Sequence, residues 1–434
     1  MRPTLAITAL AVSWLAFAPA GVGPSEADRA KSLEFQKKAL AAYRAKDWPG
    51  FLENARQASA LRPGEPRILY TLACAQARNG RAAEAAKILE GLIDRTLDFG
   101  SATDEDFAAV RDGPEFAGVR RGLAELRRPV GGSAVAFRLP EKDLLTEGVA
   151  YDPASKAFFV SSVHRRKIIR RAADGTMSDF VRGGQDGIQG VLALAVDAPR
   201  KRLLACSAAL PQMAGYEKRL EGASALYAFD LATGKLLRRD PLSSDGKPHA
   251  CNDLLVEADG DVLVTDSLGS GIYRFRAAGG PVETVVPPGV FRSPQGIGHG
   301  PGGRIYVADW GYGLYWIEGG KRHEVAGPAD APLFGIDGLV ASSSAGGRVF
   351  YVTQNGLAPQ RVARLELDAA GDRVVAARIL DMNDPEATEP TLLTLVEKDL
   401  YVIGKSQWAV FDEQTGAFDP GKLQEPVVVR IATE

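Results

Sequence analysis

The most informative segment for the architecture runs Asp253-Leu-Leu-Val-Glu-Ala-Asp-Gly-Asp-Val-Leu-Val-Thr-Asp-Ser267. It contains two short runs rich in Leu, Val and Thr, separated by a polar Asp-Gly turn. This pattern is typical of two strands joined by a tight connection. The same strand-turn-strand phrase recurs six times after Ser133. The six copies begin at Gly148, Gly190, Asp253, Gly296, Gly338 and Thr391.

The spacing of these copies predicts the fold class. The residues that precede the first five copies are 147, 189, 252, 295 and 337, and the sixth copy starts at 391. Six units at such intervals, with four strands each, predict an all-β six-bladed β-propeller over residues 134–434. The sixth unit offers strands near Thr391, Asp399 and Val427 but lacks a fourth. We expect the isolated strand at 134–139 to fill that place and close the ring.

The segment 26–128 has a different, helical and alanine-rich pattern. Arg44–Leu61 and Arg78–Arg95 align at an offset of 34 residues, which is the tetratricopeptide period. The segment therefore resembles tetratricopeptide repeats, and residues 129–133 are predicted to link it to the propeller. Such a stack offers a groove for a protein or peptide. A helical plug that covers the next domain is the equally weighted alternative.

The first 20 residues are predicted to be a secretory signal. Met1-Arg2 is positive, Leu5–Phe17 is apolar, and Ala18-Pro19-Ala20 fits a small-x-small cleavage site. The apolar run is short for a membrane span, and we identify no later span. We therefore expect an exported, periplasmic protein, with an uncleaved anchor as the alternative.

The amino-acid composition limits the classes of partner that the protein is expected to bind. Lys plus Arg number 52 and Asp plus Glu number 54, so the formal charge is −2. This balance argues against nucleic acid or an anionic membrane as the main partner. Cys206 and Cys251 could meet across neighbouring blades, but the expectation is that both are buried free thiols, and Cys74 is assigned to a helical core. With no CxxC and four His, a zinc cluster is unsupported.

Polar residues stand at the start of the first strand of each unit. First strands line the axis of a propeller, so these side chains should converge at one mouth. They are Glu147, Gln189, Asn252 with Asp253, Gln295 and Asp337. Carboxylate and amide oxygens suit calcium better than zinc. The alternative is that they cap backbone groups and hold water in the channel.

Four phrases carry a family resemblance. Glu147-Gly-Val149, Asn252-Asp253, Pro294-Gln-Gly-Ile297 and Asp337-Gly-Leu339 resemble the regucalcin/gluconolactonase family of six-bladed calcium propellers. The resemblance implies one calcium or other divalent cation held by Glu147, Asn252, Gln295 and Asp337. Gln295 departs from the family, which has Asn there. The resemblance also implies hydrolysis of a small-molecule lactone or ester.

Further site residues follow from their expected position at the mouth. Asp337 is the first candidate for a catalytic base, and His164 and His249 are others, although loop histidines often make only structural hydrogen bonds. The residues predicted to contact substrate are Gln189, Asp253, Trp310, Tyr312 and Trp408. Blade packing is an equal alternative for the three aromatic residues.

The leading hypothesis is an exported, calcium-dependent lactonase or esterase with an accessory helical module. The alternative is a non-catalytic periplasmic scaffold or binding protein that uses the helical groove. In that case the channel holds a structural ion or none.

Overall fold

The computed structural model describes residues 26–434, apart from residues 244, 329 and 343–345. Residues 1–20, predicted to be a signal segment, lie outside this range. The described chain begins with a helical domain and continues as a β-propeller.

The helical domain is built from two helical hairpins and a shorter helix. Its α-helices are α1 Glu26–Arg44, α2 Trp48–Leu61, α3 Pro66–Arg78, α4 Ala82–Ile93 and α5 Ala117–Leu126. Side chains cap two of the N-termini: Asp47 accepts a hydrogen bond from the Gly50 amide, and Glu65 accepts from the amides of Arg67 and Ile68. Among the described helices, none combines the length and the apolar character that crossing a bilayer needs.

The strands are short and follow the predicted phrases. Two precede the first blade, β1 Val130–Gly131 and β2 Ala134–Arg138. Blade one has β3 Thr146–Asp152, β4 Ala157–Ser162, β5 Lys167–Arg171 and β6 Met177–Val181. Blade two has β7 Gly190–Asp197, β8 Arg202–Ala208, β9 Ser224–Asp230 and β10 Leu236–Pro241. Blade three has β11 Cys251–Val256, β12 Val262–Asp266, β13 Gly271–Phe275 and β14 Glu283–Val286.

The other three blades repeat this plan. Blade four has β15 Pro294–His299, β16 Ile305–Asp309, β17 Gly313–Glu318 and β18 Lys321–Glu324. Blade five has β19 Ile336–Ser342, β20 Val349–Gln354, β21 Arg361–Leu367 and β22 Val374–Met382. Blade six has β23 Leu393–Val396, β24 Asp399–Lys405 and β25 Val427–Ala432.

Across the described residues these strands form six sheets arranged as a propeller, which confirms the predicted fold class. The first strand of each blade contacts the first strand of the next, and β23 of blade six returns to β3 of blade one. Strand β2 pairs antiparallel with β25 and so joins the two ends of the propeller chain in one sheet. Strand β1, within the expected linker, pairs with β22 and adds a fifth strand to blade five.

The prediction of two free thiols in the propeller is wrong. Cys206 on β8 and Cys251 on β11 form a disulfide that joins blades two and three. Both residues belong to one buried cluster, because the inner strands of neighbouring blades pack directly together. Cys74 is a buried free cysteine in the helical core.

The helical domain packs against the propeller on the face where the first strands start. Phe334 and Leu357, from loops of blade five, belong to the same hydrophobic cluster as the helices. The Asp98 amide donates to the Ala358 carbonyl over 2.7 Å, and Arg361 donates to the Thr96 hydroxyl over 2.5 Å. The helices therefore lie beside the mouth of the channel.

Candidate functional site

A recurring bulge positions the polar residues at the mouth. In blades one, three, four and five the pairing between the first and second strands shifts register near its start. At each shift two consecutive residues are left without a partner in the strand pairing; they are Glu147-Gly148, Asn252-Asp253, Gln295-Gly296 and Asp337-Gly338. A bulge redirects the side chains that it carries. The predicted ligand residues therefore leave the regular alternation of the sheet.

Hydroxyl groups on the second strands hold three of these bulges. The Gly148 amide donates to Ser161 Oγ over 2.7 Å, and the Gly338 amide donates to Thr353 Oγ1 over 2.7 Å. The Asp253 amide donates to Thr265 Oγ1 over 3.0 Å. These bonds satisfy amides that the bulge removes from the ladder.

Glycine follows three of the predicted ligand residues because a side chain at that position would clash with the next blade. A Cβ atom at Gly148 would lie 2.5 Å from the Leu192 carbonyl oxygen of the next blade. A Cβ at Gly296 would lie 2.7 Å from the Asp337 carbonyl oxygen in the same way. Neighbouring inner strands thus approach closely at the bulge, which explains the Glu-Gly, Gln-Gly and Asp-Gly phrases.

Four carboxylates gather at the channel. They are Glu147, Asp253, Asp337 and Glu389. Within the described residues, no Lys, Arg or His nitrogen comes within 4.0 Å of any of them. Their negative charges therefore repel one another, and no cationic side chain of the described residues pairs with them.

This environment raises the pKa of each carboxyl group. Burial, followed by the nearby charge of Asp337, raises the pKa of Glu147 well above its usual range. Burial raises the pKa of Asp253 to about 7 and that of Asp337 to about 6, although hydrogen bonds partly oppose both shifts. Burial also raises the pKa of Glu389. Four such groups favour either protonation or a bound cation.

The two predicted amide ligands contact each other. Asn252 Nδ2 donates to Gln295 Oε1, and Gln295 Nε2 donates to Ser293 Oγ over 3.0 Å. Gln189, on blade two, donates to the Gly187 carbonyl over 2.9 Å, while its Oε1 is buried with no hydrogen-bond partner among the described residues. The structure thus joins Asn252 to Gln295, and within the described chain it shows no hydrogen bond between Gln189 and either of them.

Asp337 is held by a short relay of side chains. Asn355 Nδ2 donates to Asp337 Oδ2 over 2.5 Å, and Trp310 Nε1 donates to Asn355 Oδ1 over 2.9 Å. From the sequence, Asn355 is assigned no role. Its contact with Asp337 depends on how the β20–β21 loop folds, which no local pattern indicates.

Glu389 was missed altogether. It lies two residues before the sixth unit, just ahead of Pro390. An acidic residue close to the start of blade six was the signal that could have identified it. Its Oε1 accepts from the Ala409 amide over 3.1 Å. In the same loop, Trp408 Nε1 donates to Glu147 Oε2 over 2.5 Å. Glu389 therefore anchors the loop that brings Trp408 onto the site.

The two histidine candidates are both engaged in structural contacts. His164 Nδ1 donates to the Gln212 carbonyl over 2.6 Å, and its ring packs against Phe411 and Phe418. His249 is buried between Asp266 Oδ2, at 2.5 Å from Nδ1, and Asp245 Oδ1, at 2.9 Å from Nε2. Burial lowers the pKa of His249, but these hydrogen bonds outweigh it and the pKa is raised. Neither nitrogen of His249 is free to act as a base.

The predicted aromatic residues occupy two sides of the mouth. Trp310 and Tyr312 are 39% and 50% exposed on the β16–β17 loop. Trp408 is partly buried and packs against the core of blades two and three. Trp408 donates to Glu147, one of the four carboxylates, and Trp310 donates to Asn355, which holds Asp337. Both Trp side chains therefore make hydrogen bonds at the site in addition to packing contacts.

Below the mouth, a cavity of about 630 Å³ follows the propeller axis. It begins at Asp253 and is lined largely by apolar inner-strand residues such as Leu254, Ile297 and Leu339. The carboxylates thus lie at one end of an axial channel.

A second group of potential metal ligands lies in the helical domain. Cys74, Asp104 and Asp106 place ligand atoms within 4.8 Å of one another. Protein groups already satisfy the carboxylates, because Arg78 Nε and Tyr43 donate to Asp106 and Tyr70 donates to Asp104. Burial raises the pKa of the Cys74 thiol, which favours its protonated form.

No family model and no curated protein matches the chain. Solved structures do resemble it. A gluconolactonase from Xanthomonas campestris is 18% identical, with a TM-score of 0.45 over 70% of this chain and 98% of its own. A calcium-binding regucalcin from Agrobacterium tumefaciens is 19% identical, with a TM-score of 0.47 over 68% and 93%. The PQQ-bound aldose sugar dehydrogenase from Streptomyces coelicolor is 14% identical, with a TM-score of 0.47 over 70% and 98%.

These neighbours thus include a gluconolactonase and a regucalcin. Such low identities compare folds only, and the chemistry has to be argued from the residues at the mouth.

Proposed function

We propose that the protein is a divalent-cation-dependent hydrolase of lactones or esters, with calcium as the preferred ion. The observation that carries the proposal is the group of four carboxylates at the mouth. Glu147 and Asp337 are buried, Asp253 and Glu389 are half-buried, and none has a cationic partner among the described residues. A protein that buries several like charges gains stability when a cation neutralises them.

The donor set fits a hard cation. Glu147 and Asp337 offer carboxylate oxygens, and Asn252 and Gln295 offer amide oxygens. Asp253 and Glu389 add negative charge nearby. Calcium takes six to eight oxygen ligands of these kinds, and water can complete the set. A bound cation of this type polarises a carbonyl oxygen and stabilises negative charge that develops on it.

Asp337 is the best-placed proton acceptor. Asn355 holds its Oδ2, and no other described side chain hydrogen-bonds its Oδ1. A carboxylate oxygen that is free of side-chain partners can accept a proton from an adjacent water molecule. Asp337 would thus activate the water that attacks the substrate carbonyl carbon. Trp310 keeps Asn355 in place for this role.

We also propose that the protein is exported. The signal-like residues 1–20 motivate this, and the Cys206–Cys251 disulfide supports it, since disulfides persist mainly in oxidising compartments.

The test is an assay of chelator-stripped protein with aliphatic lactones and 4-nitrophenyl esters, before and after addition of calcium, magnesium, manganese or zinc. We expect hydrolysis only with a divalent ion, and a loss of about 100-fold in kcat for Asp337→Asn. Asp412→Asn, in an exposed loop, is the control and should retain activity. Hydrolysis that survives chelation, or is unchanged in Asp337→Asn, contradicts the proposal. Calcium binding without any hydrolysis favours the non-catalytic alternative.

A further inference from the structure

We propose that Arg67 of the helical domain and Arg292 of blade four form an anion-binding subsite at the rim of the mouth. It would receive a carboxylate or phosphate group carried by the substrate. This inference rests on the proposed hydrolase function and specifies its substrate class.

The two arginines meet at Gly311. Arg67 Nη1 donates to the Gly311 carbonyl over 3.1 Å, and its guanidinium lies 4.7 Å from the centroid of the Phe334 ring. Arg292 approaches Gly311 closely as well, because a Cβ atom built there would lie 3.2 Å from Arg292 Cδ. The helical domain and the propeller thus bring one guanidinium each to the same residue.

The neighbouring acids Glu65 and Asp309 are hydrogen-bonded to backbone amides rather than to the two guanidinium groups. Glu65 uses its two oxygens to cap helix α3. Asp309 accepts from the backbone amides of Arg292 over 2.7 Å and of Gly311 over 3.0 Å. Within the described part of the chain, the exposed Arg292 guanidinium has no hydrogen-bond or ion-pair partner. Burial lowers the pKa of Arg67; the charge of Glu65 partly opposes this shift, and the charge of Arg292 adds to it, as expected for two adjacent cations.

Two contacts connect the subsite to the carboxylates. Ser293, the residue after Arg292, accepts the hydrogen bond from Gln295 Nε2. Trp310, the residue before Gly311, donates to Asn355, which in turn holds Asp337. The subsite therefore lies on the side of blades four and five, connected to Gln295 through Ser293 and to Asp337 through Trp310 and Asn355.

This arrangement defines the substrate class. A planar guanidinium binds carboxylate or phosphate through paired hydrogen bonds. The exposed rings of Trp310 and Tyr312 flank the same loop and offer an apolar surface for the rest of the molecule. The substrate would be a compact lactone or ester with an anionic group several atoms from its carbonyl carbon.

The test compares 4-nitrophenyl pentanoate with mono-4-nitrophenyl glutarate, which differ mainly in a terminal carboxylate. The wild type, loaded with calcium, should prefer the glutarate ester. In Arg292→Gln and in Arg67→Gln, the ratio of kcat/KM for the two esters should fall by about tenfold or more. Arg430→Gln, at an exposed position of β25, is the matched control and should keep the wild-type ratio. An unchanged ratio in Arg292→Gln overturns the subsite.

A binding measurement separates this inference from the proposed function. Calorimetry with glutarate and with inorganic phosphate should show binding to the calcium-loaded wild type, weakened about tenfold in Arg292→Gln. If that result appears without ester hydrolysis, the hydrolase proposal fails and the subsite stands. Absent binding to the wild type, or equal binding in Arg292→Gln, overturns the subsite even if esters are hydrolysed. Arg292 is decisive because it is exposed, whereas Arg67 also supports domain packing.

Discussion

Asn252 donates a side-chain hydrogen bond to Gln295, which lies on the first strand of the next blade. The longer Gln side chain therefore does not leave the mouth. Its Oε1 accepts from Asn252 on the neighbouring blade, and its Nε2 donates to Ser293 Oγ over 3.0 Å. Gln295, at the position where the regucalcin/gluconolactonase family that the sequence resembles has Asn, is thus accommodated by a contact between the two proposed amide ligands.

Truncation of Gln295 should weaken calcium binding. Gln295→Ala removes an oxygen donor and also releases Asn252 from its partner, so we expect the Kd for calcium to rise by about 10- to 100-fold. Isothermal titration of chelator-stripped protein measures this directly. Gln57→Ala, exposed on helix α2, is the control. An unchanged Kd in Gln295→Ala would remove Gln295 from the ligand set.

Trp408 should support the ionised form of Glu147. Trp408→Phe keeps an aromatic ring but removes the N–H that donates to Glu147 Oε2. Because this bond lowers the pKa of Glu147, its loss favours the protonated acid and should weaken calcium binding about tenfold at pH 7. Trp316→Phe, stacked on His323 away from the mouth, should bind calcium normally. Equal affinity in the two variants would contradict this role.

Asp381 should make stability fall as pH rises. Burial, and next the charge of Asp384, raise its pKa to about 7, and its Oδ1 is buried without a hydrogen-bond partner in the described part of the chain. Since the folded pKa lies above the unfolded value, the folded state favours the protonated acid. Stability from this group is complete below about pH 4 and is lost between about pH 4 and 7.

Asp381→Asn keeps the shape and removes the titration. We expect its Tm at pH 8 to exceed that of the wild type by about 2 °C or more, with the gap closing toward pH 4. Scanning calorimetry from pH 4 to 8 measures the difference, and Asp112→Asn, exposed in the helical domain, is the control. A gap that does not vary with pH excludes Asp381 as its source.

Reduction should destabilise the propeller. The Cys206–Cys251 disulfide closes a loop with a sequence separation of 45 residues, and breaking such a link costs about 2–4 kcal/mol of unfolding free energy. Urea unfolding with and without reductant measures the loss. A double variant with Cys206→Ser and Cys251→Ser should show no response to reductant. A wild type that also shows none is incompatible with the cross-link.

The propeller could be predicted because its units repeat. Each copy of the strand-turn-strand phrase buries one face against the next blade, so the repeat length follows from the sequence itself. The bulge residues Glu147, Asn252 and Asp337 were found for the same reason, since each opens a first strand.

The remaining features depend on contacts between distant segments. Glu389 lies two residues before the sixth unit, whereas Glu147 and Asp337 directly precede theirs. Asn355 meets Asp337 only through loop conformation, and the Arg67 contact with Gly311 joins residues 244 positions apart. The partners of His249 likewise come from a strand and a loop that no periodicity relates to it. Such contacts leave no periodic or compositional signal in one sequence.

If a divalent cation neutralises the carboxylates at the mouth, its binding should stabilise the folded protein. The most direct measurement is the Tm of chelator-stripped protein with and without saturating calcium, for the wild type and for a variant with Glu147→Gln and Asp337→Asn. We expect calcium to raise the wild-type Tm by about 4 °C or more. The variant should melt at or above the stripped wild type and should not respond to calcium, because its repulsion is already relieved. No shift in the wild type, or the same shift in the variant, would contradict the account.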